Sequence, residues 1–447
     1  MSRLRIRRSG PLRGRARLAG DLHIGQQALV WAALAEGPST LHGLAARSDH
    51  ALLTRALAEL GVPITRDPSG SYHIVGRGLS GLTMPKGALQ AGDSASTLEL
   101  VVALLAGQHF GTRVEVAARL RERSLRTLVV PLRERGAHVA GKQDDGEPRP
   151  PVAVAPLLEG ELLGEVEIAI PYGDPTTKLA LLISGLYARG VTAVSESMLS
   201  RDHVERALMT LGAPIQTAAG MTLLDTSEGA PVFRGFDWTL PGDFTLASYL
   251  LAAALIVDGS DVLIESVGLN PTRTALLEAL RGTGARIAHQ PKGDVAGNEP
   301  VGDLRVATSR LSRVRIGGER AFGMLDEVPA LLALSVIARD RVSVRDVGIL
   351  RGQRPDALKA SSELLARFGI GCTSYEDGLE LDPPGPLTAA HVSADVAAPQ
   401  ALLGCILGLV AEGETQIDGG AELDALYPGF VDTLIAMGAN IVRERAV

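Results

Sequence analysis

The sequence predicts an α/β protein made of six repeated units, grouped as two halves of three. Each unit of roughly 70 to 85 residues has an Asp before an apolar helix, then a strand-like run, then a second helix that ends at a Gly. The six Asp residues stand just before an apolar stretch and are Asp21, Asp93, Asp174, Asp243, Asp326 and Asp395. The six glycines close the second helices and are Gly61, Gly136, Gly212, Gly284, Gly369 and Gly438. Because Asp is a preferred N-cap, each Asp is predicted to begin a helix.

The first helix of each unit is apolar on nearly every face, as in ALVWAALAEG and YLLAAALIVDG. Such a helix is buried. Each run has about 10 to 14 residues, which is short of the roughly 20 needed to span a bilayer, so these are core helices. The second helices are amphipathic, as in DHVERALMTLGA, and strand-like runs such as TAVSES and DVLIESV lie between them. A βαβα-type unit cannot bury its apolar helix alone, so several units must pack together.

Composition limits the class of protein and its partners. A chain of 447 residues exceeds what one core usually supports, so two or more domains are expected. The net charge of -7 argues against general binding to nucleic acid or anionic membranes, and the 3% aromatic content argues against base stacking. No apolar signal segment is recognised, so a cytoplasmic location is expected. Cys372 and Cys405 are predicted to be buried thiols, with no metal or cofactor.

Three segments stand apart from the repeats. Residues 1–17 carry seven Arg and no acid, and they alternate like a strand. We expect a strand or a loose arm there; nucleic-acid binding through this arm is the alternative. Residues 141–151 and 289–303 are rich in Gly, Pro and charge, which is typical of exposed loops. The two halves are expected to join near residues 19–21 and 238–242.

Five motifs together resemble the enolpyruvyl transferase family, and within it the EPSP synthases. They are SRDHVERAL, VGLNPTRTALLEALRGTGA, LDEVPALLAL, ILRGQRPDAL and LYPGF, in the family's order and spacing. The resemblance covers essentially the whole chain. It implies an inside-out α/β barrel fold of six βαβαββ repeats in two domains, residues 21–239 and residues 240–447 plus 1–20. Substrates would bind in the cleft between the domains, where the starts of buried helices favour anions.

The chain departs from the family pattern where the family carries cations. Leu22 and Gln27 stand in place of a Lys and an Arg, and Glu99 stands in place of another Arg. Further replacements, all at positions that bind anions or catalyse in the family, are Asp174-Pro175-Thr176, Gln353-Arg354-Pro355-Asp356-Ala357, Asp395-Val396-Ala397 and Ala425. Each charge-assisted hydrogen bond is worth roughly 1.5 to 3 kcal/mol, so losing four or five forfeits on the order of 10 kcal/mol of anion binding.

The resemblance also supplies candidate site residues. Asp326 matches the family's catalytic Asp, Glu327 beside it could raise its pKa, and His23 is a new candidate for proton transfer. The alternatives are that Asp326 is an N-cap and that His23 is a satisfied polar residue at a helix start. The candidate substrate-binding residues are Asp21, Arg123, Asp174, Lys178, Ser200, Arg201 and Arg354.

Several functions remain open at this point. The replaced cations favour a repurposed enzyme that dehydrates or isomerises a shikimate-like cyclic acid by acid/base chemistry, in secondary metabolism. A non-catalytic pseudoenzyme, acting as a ligand-binding or partner subunit, is the second hypothesis. A true 3-phosphoshikimate 1-carboxyvinyltransferase with rearranged cations is the third. The expected partner is a small cyclic acid, with no nucleic acid or membrane, for a monomer or weak homo-oligomer.

Overall fold

The computed structural model describes residues 2–144, 146–170, 173–352, 356–383 and 385–444. The chain forms two compact units. The N-terminal unit is Gly20–Leu240 with Asp294–Glu299, and the C-terminal unit is Met1–Ala19, Pro241–Gly293 and Pro300–Val447. Each unit has its own core of buried aliphatic side chains.

The described residues contain 24 strands and 14 α-helices. In chain order the strands are β1 Arg3–Arg7, β2 Arg13–Arg17, β3 Glu36–His42, β4 Ile64–Arg66, β5 Tyr72–Arg77, β6 Leu89–Gly92, β7 Thr112–Val116, β8 Val139–Asp144, β9 Glu147–Val154, β10 Val166–Ile170, β11 Val191–Glu196, β12 Ile215–Ala218, β13 Met221–Asp225, β14 Asp237–Thr239, β15 Asp261–Gly268, β16 Arg286–Val295, β17 Glu299–Ala307, β18 Val314–Ile316, β19 Val342–Val344, β20 Cys372–Tyr375, β21 Gly378–Leu381, β22 His391–Val392, β23 Glu414–Asp418 and β24 Ile441–Glu444. The helices are α1 Leu22–Leu34, α2 Ser48–Glu59, α3 Ala95–Ala106, α4 Arg126–Glu134, α5 Pro175–Gly185, α6 His203–Thr210, α7 Phe244–Ile256, α8 Ala275–Leu280, α9 Glu319–Phe322, α10 Val328–Ala333, α11 Ala357–Arg367, α12 Ala398–Gly408, α13 Gly420–Leu426 and α14 Phe430–Ala436.

The strands form six four-stranded sheets of one design, three in each unit. Their orders are β14-β3-β5-β4, β6-β7-β9-β8, β10-β11-β13-β12, β16-β17-β15-β2, β18-β19-β21-β20 and β22-β23-β1-β24. In each sheet one edge strand runs parallel to its neighbour, and that neighbour runs antiparallel to the next strand. The predicted α/β fold of six repeats is confirmed.

The apolar helices lie at the centre of each unit, inside the sheets. Every residue of α1 from Ile24 to Leu34 is buried, and α3, α5, α7 and α12 are buried almost as completely. The sheets cover them with one face, as the strict alternation of buried residues along β9 shows. Helices in the centre and sheets outside match the inside-out arrangement that the repeats predict.

Only half of the predicted Asp caps are present. Asp21, Asp174 and Asp243 each accept hydrogen bonds from amides of the first helical turn. At α3 the cap is Ser94, because its hydroxyl accepts from the amide of Thr97 while the exposed Asp93 lies one residue too early. Two further predicted caps are wrong. Asp326 lies inside a 3₁₀ turn at Leu325–Glu327, and Asp395 precedes the uncapped start of α12.

The glycines predict the ends of helices more reliably than the Asp residues predict their starts. All six closing glycines have positive φ, between 81° and 102°. Five of them follow directly after the residue that caps a second helix, and Gly284 follows α8 after a short turn. A left-handed residue after a helix frees the chain to turn back, and only Gly adopts it without a steric penalty.

The basic N-terminal segment is part of the C-terminal unit. Strand β1 lies between β23 and β24 in an antiparallel sheet, and β2 pairs in parallel with β15. Arg3 is paired with Asp418 at 2.7 Å, and Arg5 and Arg7 are both paired with Glu414 at 2.8 Å. These ion pairs explain the Arg content of β1 without a nucleic-acid partner.

The prediction of two exposed loops is wrong. Residues 141–144 and 147–151 lie in the paired strands β8 and β9, and residues 289–303 lie in the hairpin of β16 and β17. Charged and polar residues are frequent there because much of the β16 ribbon is exposed. Among the described helices, none is both long and apolar enough to cross a membrane.

Candidate functional site

The starts of three buried helices meet in one narrow pocket of the N-terminal unit. The Gln26 amide of α1 donates to the Ser96 hydroxyl of α3 at 2.7 Å, and Thr177 of α5 contacts Glu99 of α3 at 3.2 Å. The pocket is lined by His23, Gln26, Gln27, Leu100, Pro175, Thr176, Leu179, Arg201, His203 and Val204. The helix dipoles favour an anion at such a place, whereas first-turn amides of these helices already donate to Asp21, Ser94 and Asp174.

His23 and Arg201 line this pocket, whereas Asp21 caps helix α1. The Asp21 carboxylate is buried and accepts from the amides of His23 and Ile24 at 2.9 and 3.0 Å. Its charge is therefore directed at the start of α1 rather than at a ligand. His23 is half-buried beside the pocket, which keeps it a candidate for proton transfer.

Asp174 and Arg123 meet at a buried carboxyl group. Glu99 Oε1 accepts from Arg123 Nη2 at 2.9 Å, and the Thr177 hydroxyl lies 3.2 Å from Glu99 Oε2 and 2.9 Å from Asp174 Oδ2. Burial, and next the charge of Asp174, raise the pKa of Glu99 to about 7, against the opposing effect of Arg123. Glu99 is thus a group that titrates near neutral pH at the helix starts.

Lys178 is not available as an anion ligand in this arrangement. Its ammonium group is buried and pairs with Glu196 at 2.9 Å and Glu205 at 2.6 Å. Two carboxylates thus outweigh the single positive charge, and Thr222 also donates to Glu205. Ser200, another candidate, has a buried hydroxyl that makes no hydrogen bond among the described residues.

Sequence reasoning missed a buried His–Glu pair beside the pocket. His203 Nδ1 lies 2.7 Å from Glu299 Oε1, and both side chains are almost fully buried. His203 stands in the SRDHVERAL motif, but nothing local marks Glu299, which lies 96 residues away in sequence. Only the fold reveals that pairing.

In the C-terminal unit, the two adjacent acids have different environments. Glu327 is fully buried and accepts from Arg273 at 2.6 Å and from Thr245 at 2.9 Å. Asp326 is exposed. Arg273, from the NPTR motif, also contacts Thr245 and thereby links α7 to the start of α10. Arg354 lies outside the described residues.

The site combines helix starts, one half-exposed guanidinium and several buried carboxyl groups. Arg123 keeps 43% of its side chain exposed while Glu99 is almost fully buried. This arrangement of charges favours an anion near Arg123, and Glu99 can exchange a proton near neutral pH. Within the described part of the chain, no group of three or more His, Cys, Asp or Glu residues is placed to hold a metal ion.

Six repeats of this design, with buried helices inside four-stranded sheets, define the class of enolpyruvyl transferases. The model of the family EPSP synthase (3-phosphoshikimate 1-carboxyvinyltransferase) matches residues 6–434, and the chain belongs to this family. It is 33% identical to a 3-phosphoshikimate 1-carboxyvinyltransferase of Citrifermentans bemidjiense, over 97% of this chain and 99% of the relative. A relative of the same name from Synechococcus elongatus is 36% identical, over 95% of this chain and 93% of the relative. The structure of EPSP synthase from Acinetobacter baumannii is similar with a TM-score of 0.89 and 26% identity, covering 100% of both chains.

These similarities correct the functional prediction. A repurposed dehydratase or isomerase, a pseudoenzyme and a role in secondary metabolism are all contradicted, because full-length relatives at 33% and 36% identity are named carboxyvinyltransferases. The prediction was wrong because it rested on the replaced cations alone, which do not outweigh similarity over nearly the whole chain.

Proposed function

We propose that this protein transfers the carboxyvinyl group of phosphoenolpyruvate to a hydroxyl of 3-phosphoshikimate. The observation that carries the proposal is the near full-length similarity to relatives named for this reaction. The pocket at the starts of α1, α3 and α5 supports it, because both substrates are anions.

The chemistry of this transfer defines what the protein must supply. The acceptor hydroxyl loses its proton and its oxygen bonds to C2 of phosphoenolpyruvate, while the methylene carbon gains a proton. That carbon then loses a proton as the C2–O bond to phosphate breaks, which restores the double bond and releases inorganic phosphate. We assign proton removal from the hydroxyl to Asp326 rather than Glu327, because Asp326 is exposed and Glu327 is held by Arg273. His23 remains a second candidate for proton transfer.

We also propose that anion binding uses fewer side-chain cations than the family pattern. Leu22 and Gln27 provide no charge, and Lys178 is neutralised by Glu196 and Glu205. Arg123 and Arg201, assisted by the dipoles of the helix starts, would then hold the phosphate and carboxylate groups. The two units would act as the two domains, residues 21–239 and residues 240–447 plus 1–20.

Steady-state release of inorganic phosphate tests this function. Purified protein is expected to release phosphate only when phosphoenolpyruvate and 3-phosphoshikimate are both present. Asp326→Asn should lower kcat by at least about a hundredfold, the usual scale for loss of a general base. Asp432→Asn, at an exposed carboxylate, is the matched control and should leave kcat unchanged. Absence of phosphate release with both substrates contradicts the proposal.

A further inference from the structure

The Thr177 hydroxyl contacts two carboxyl groups but has only one proton to donate. The Thr177 oxygen lies 2.9 Å from Asp174 Oδ2 and 3.2 Å from Glu99 Oε2. A hydroxyl has one hydrogen to donate, so it can satisfy only one of two ionised carboxylates. The contact with the other carboxyl group is favourable when that group is protonated and donates to the hydroxyl oxygen of Thr177.

Glu99 is the member of this chain of groups that holds the proton best. Asp174 caps α5 and accepts from the amides of Thr176 and Thr177 at 3.0 and 3.1 Å, which stabilises its ionised form. Glu99 is almost fully buried, and burial raises its pKa to about 7. The neutral form of Glu99 therefore donates to Thr177, which donates to Asp174.

The protonation of Glu99 decides whether the charge of Arg123 is compensated. Ionised Glu99 neutralises Arg123 across 2.9 Å. Neutral Glu99 can still accept that hydrogen bond but no longer cancels the positive charge. Arg123 is also half-exposed, so an incoming anion can reach it. The other nearby cation on α5, Lys178, is already paired with Glu196 and Glu205.

We propose that Glu99 is a positioning residue that couples anion binding at Arg123 to uptake of one proton. The anion replaces ionised Glu99 as the countercharge of Arg123, and Glu99 takes up one proton from solvent and donates a hydrogen bond to the Thr177 hydroxyl oxygen. That this anion is a phosphate or carboxylate group of the substrates rests on the proposed function. The linkage between Glu99 and Arg123 stands apart from that assignment.

Calorimetric titration with sulfate tests the linkage, because the charge of sulfate is constant between pH 5.5 and pH 8.5. Glu99 has a raised pKa, so affinity should be highest below pH 7 and should fall above it by up to about tenfold per pH unit, the limit for one proton. Titrations in buffers of different ionisation heat should show proton uptake at pH 8. Glu99→Gln should remove both the pH dependence and the uptake, and Arg123→Gln should weaken binding at every pH.

Two further variants separate the linkage from a folding effect. Thr177→Val removes the acceptor for the Glu99 proton and should move the fall in affinity to lower pH, whereas Thr177→Ser should restore the original profile. Exposed Glu159→Gln should keep that profile as the matched control. A flat profile in the unaltered protein, or an unchanged profile in Glu99→Gln, overturns the proposal. Proton-linked sulfate binding without phosphate release would refute the proposed function and leave the linkage standing.

Discussion

At the scale of residues, buried charged side chains of the N-terminal unit pair with one another. Lys178 is held by Glu196 and Glu205, and His203 is held by Glu299. A buried charge is stable only when it is paired and hydrogen-bonded, so each partner depends on the other. These pairs fix the starts of α5 and α6, next to the pocket.

Removing the ammonium group of Lys178 is expected to destabilise the protein strongly. Lys178→Met leaves two buried carboxylates facing each other without a cation, and breaking a buried pair in this way costs about 3 to 5 kcal/mol. The free energy of unfolding from urea titration measures the effect. Exposed Lys359→Met is the matched control and should change that free energy by less than about 0.5 kcal/mol. Equal effects of the two variants would contradict the central role of the Lys178 pairs.

A charge restored at Leu22 should tighten substrate binding. Leu22 is half-buried at the start of α1 and stands where the family pattern has a Lys. A new charge-assisted hydrogen bond is worth roughly 1.5 to 3 kcal/mol, so Leu22→Lys should lower the Kd for phosphoenolpyruvate by about tenfold or more. Leu162→Lys adds the same charge at an exposed position of the same unit and should have little effect. An unchanged Kd in Leu22→Lys would place the anion elsewhere.

At the scale of elements, the start of α1 is fixed by a buried histidine. His50 Nδ1 and Nε2 lie 2.8 Å from the Ala45 carbonyl and 3.0 Å from the Leu22 carbonyl. Burial lowers the pKa of His50, against the opposing effect of the hydrogen bonds with the Ala45 and Leu22 carbonyls. Gly25 lies against this ring, where a Cβ would stand 2.6 Å from His50 Nε2. The ring and the helix therefore fit only with Gly at this position.

Gly25→Ala has two opposing effects on stability, and their magnitudes can be compared. Alanine favours a helix over glycine by about 1 kcal/mol, whereas overpacking a buried site costs about 1 to 3 kcal/mol. His50 cannot move away without losing its backbone contacts, so net destabilisation in thermal unfolding is expected. Gly87→Ala, where a Cβ meets nothing within 4 Å, is the matched control. A raised Tm in Gly25→Ala would show that the ring yields.

The fold was more predictable than the site, for physical reasons visible in these elements. The buried helices and their closing glycines follow from local apolar content and backbone sterics, so they can be read from the sequence. The cap predicted at Asp93 was wrong because the neighbouring Ser94 caps the helix. The two hairpins were predicted as loops because exposed ribbons share the composition of loops. The pairing of His203 with Glu299 depends on tertiary structure alone.

At the scale of the whole molecule, the chain keeps the architecture of its family. Each unit places three apolar helices inside three sheets, and the N-terminal unit brings helix starts to one pocket. The side-chain replacements found in the sequence do not outweigh the similarity to relatives named carboxyvinyltransferases.

Direct observation of the product tests the central claim, which is that this chain forms the enol ether. Phosphoenolpyruvate labelled with ¹³C at C2 is incubated with 3-phosphoshikimate and the purified protein, and the carbon signal is followed by NMR. A new enol ether signal is expected that grows with released phosphate and is lost in Asp326→Asn. Disappearance of phosphoenolpyruvate without an enol ether signal, or no reaction at all, would contradict it.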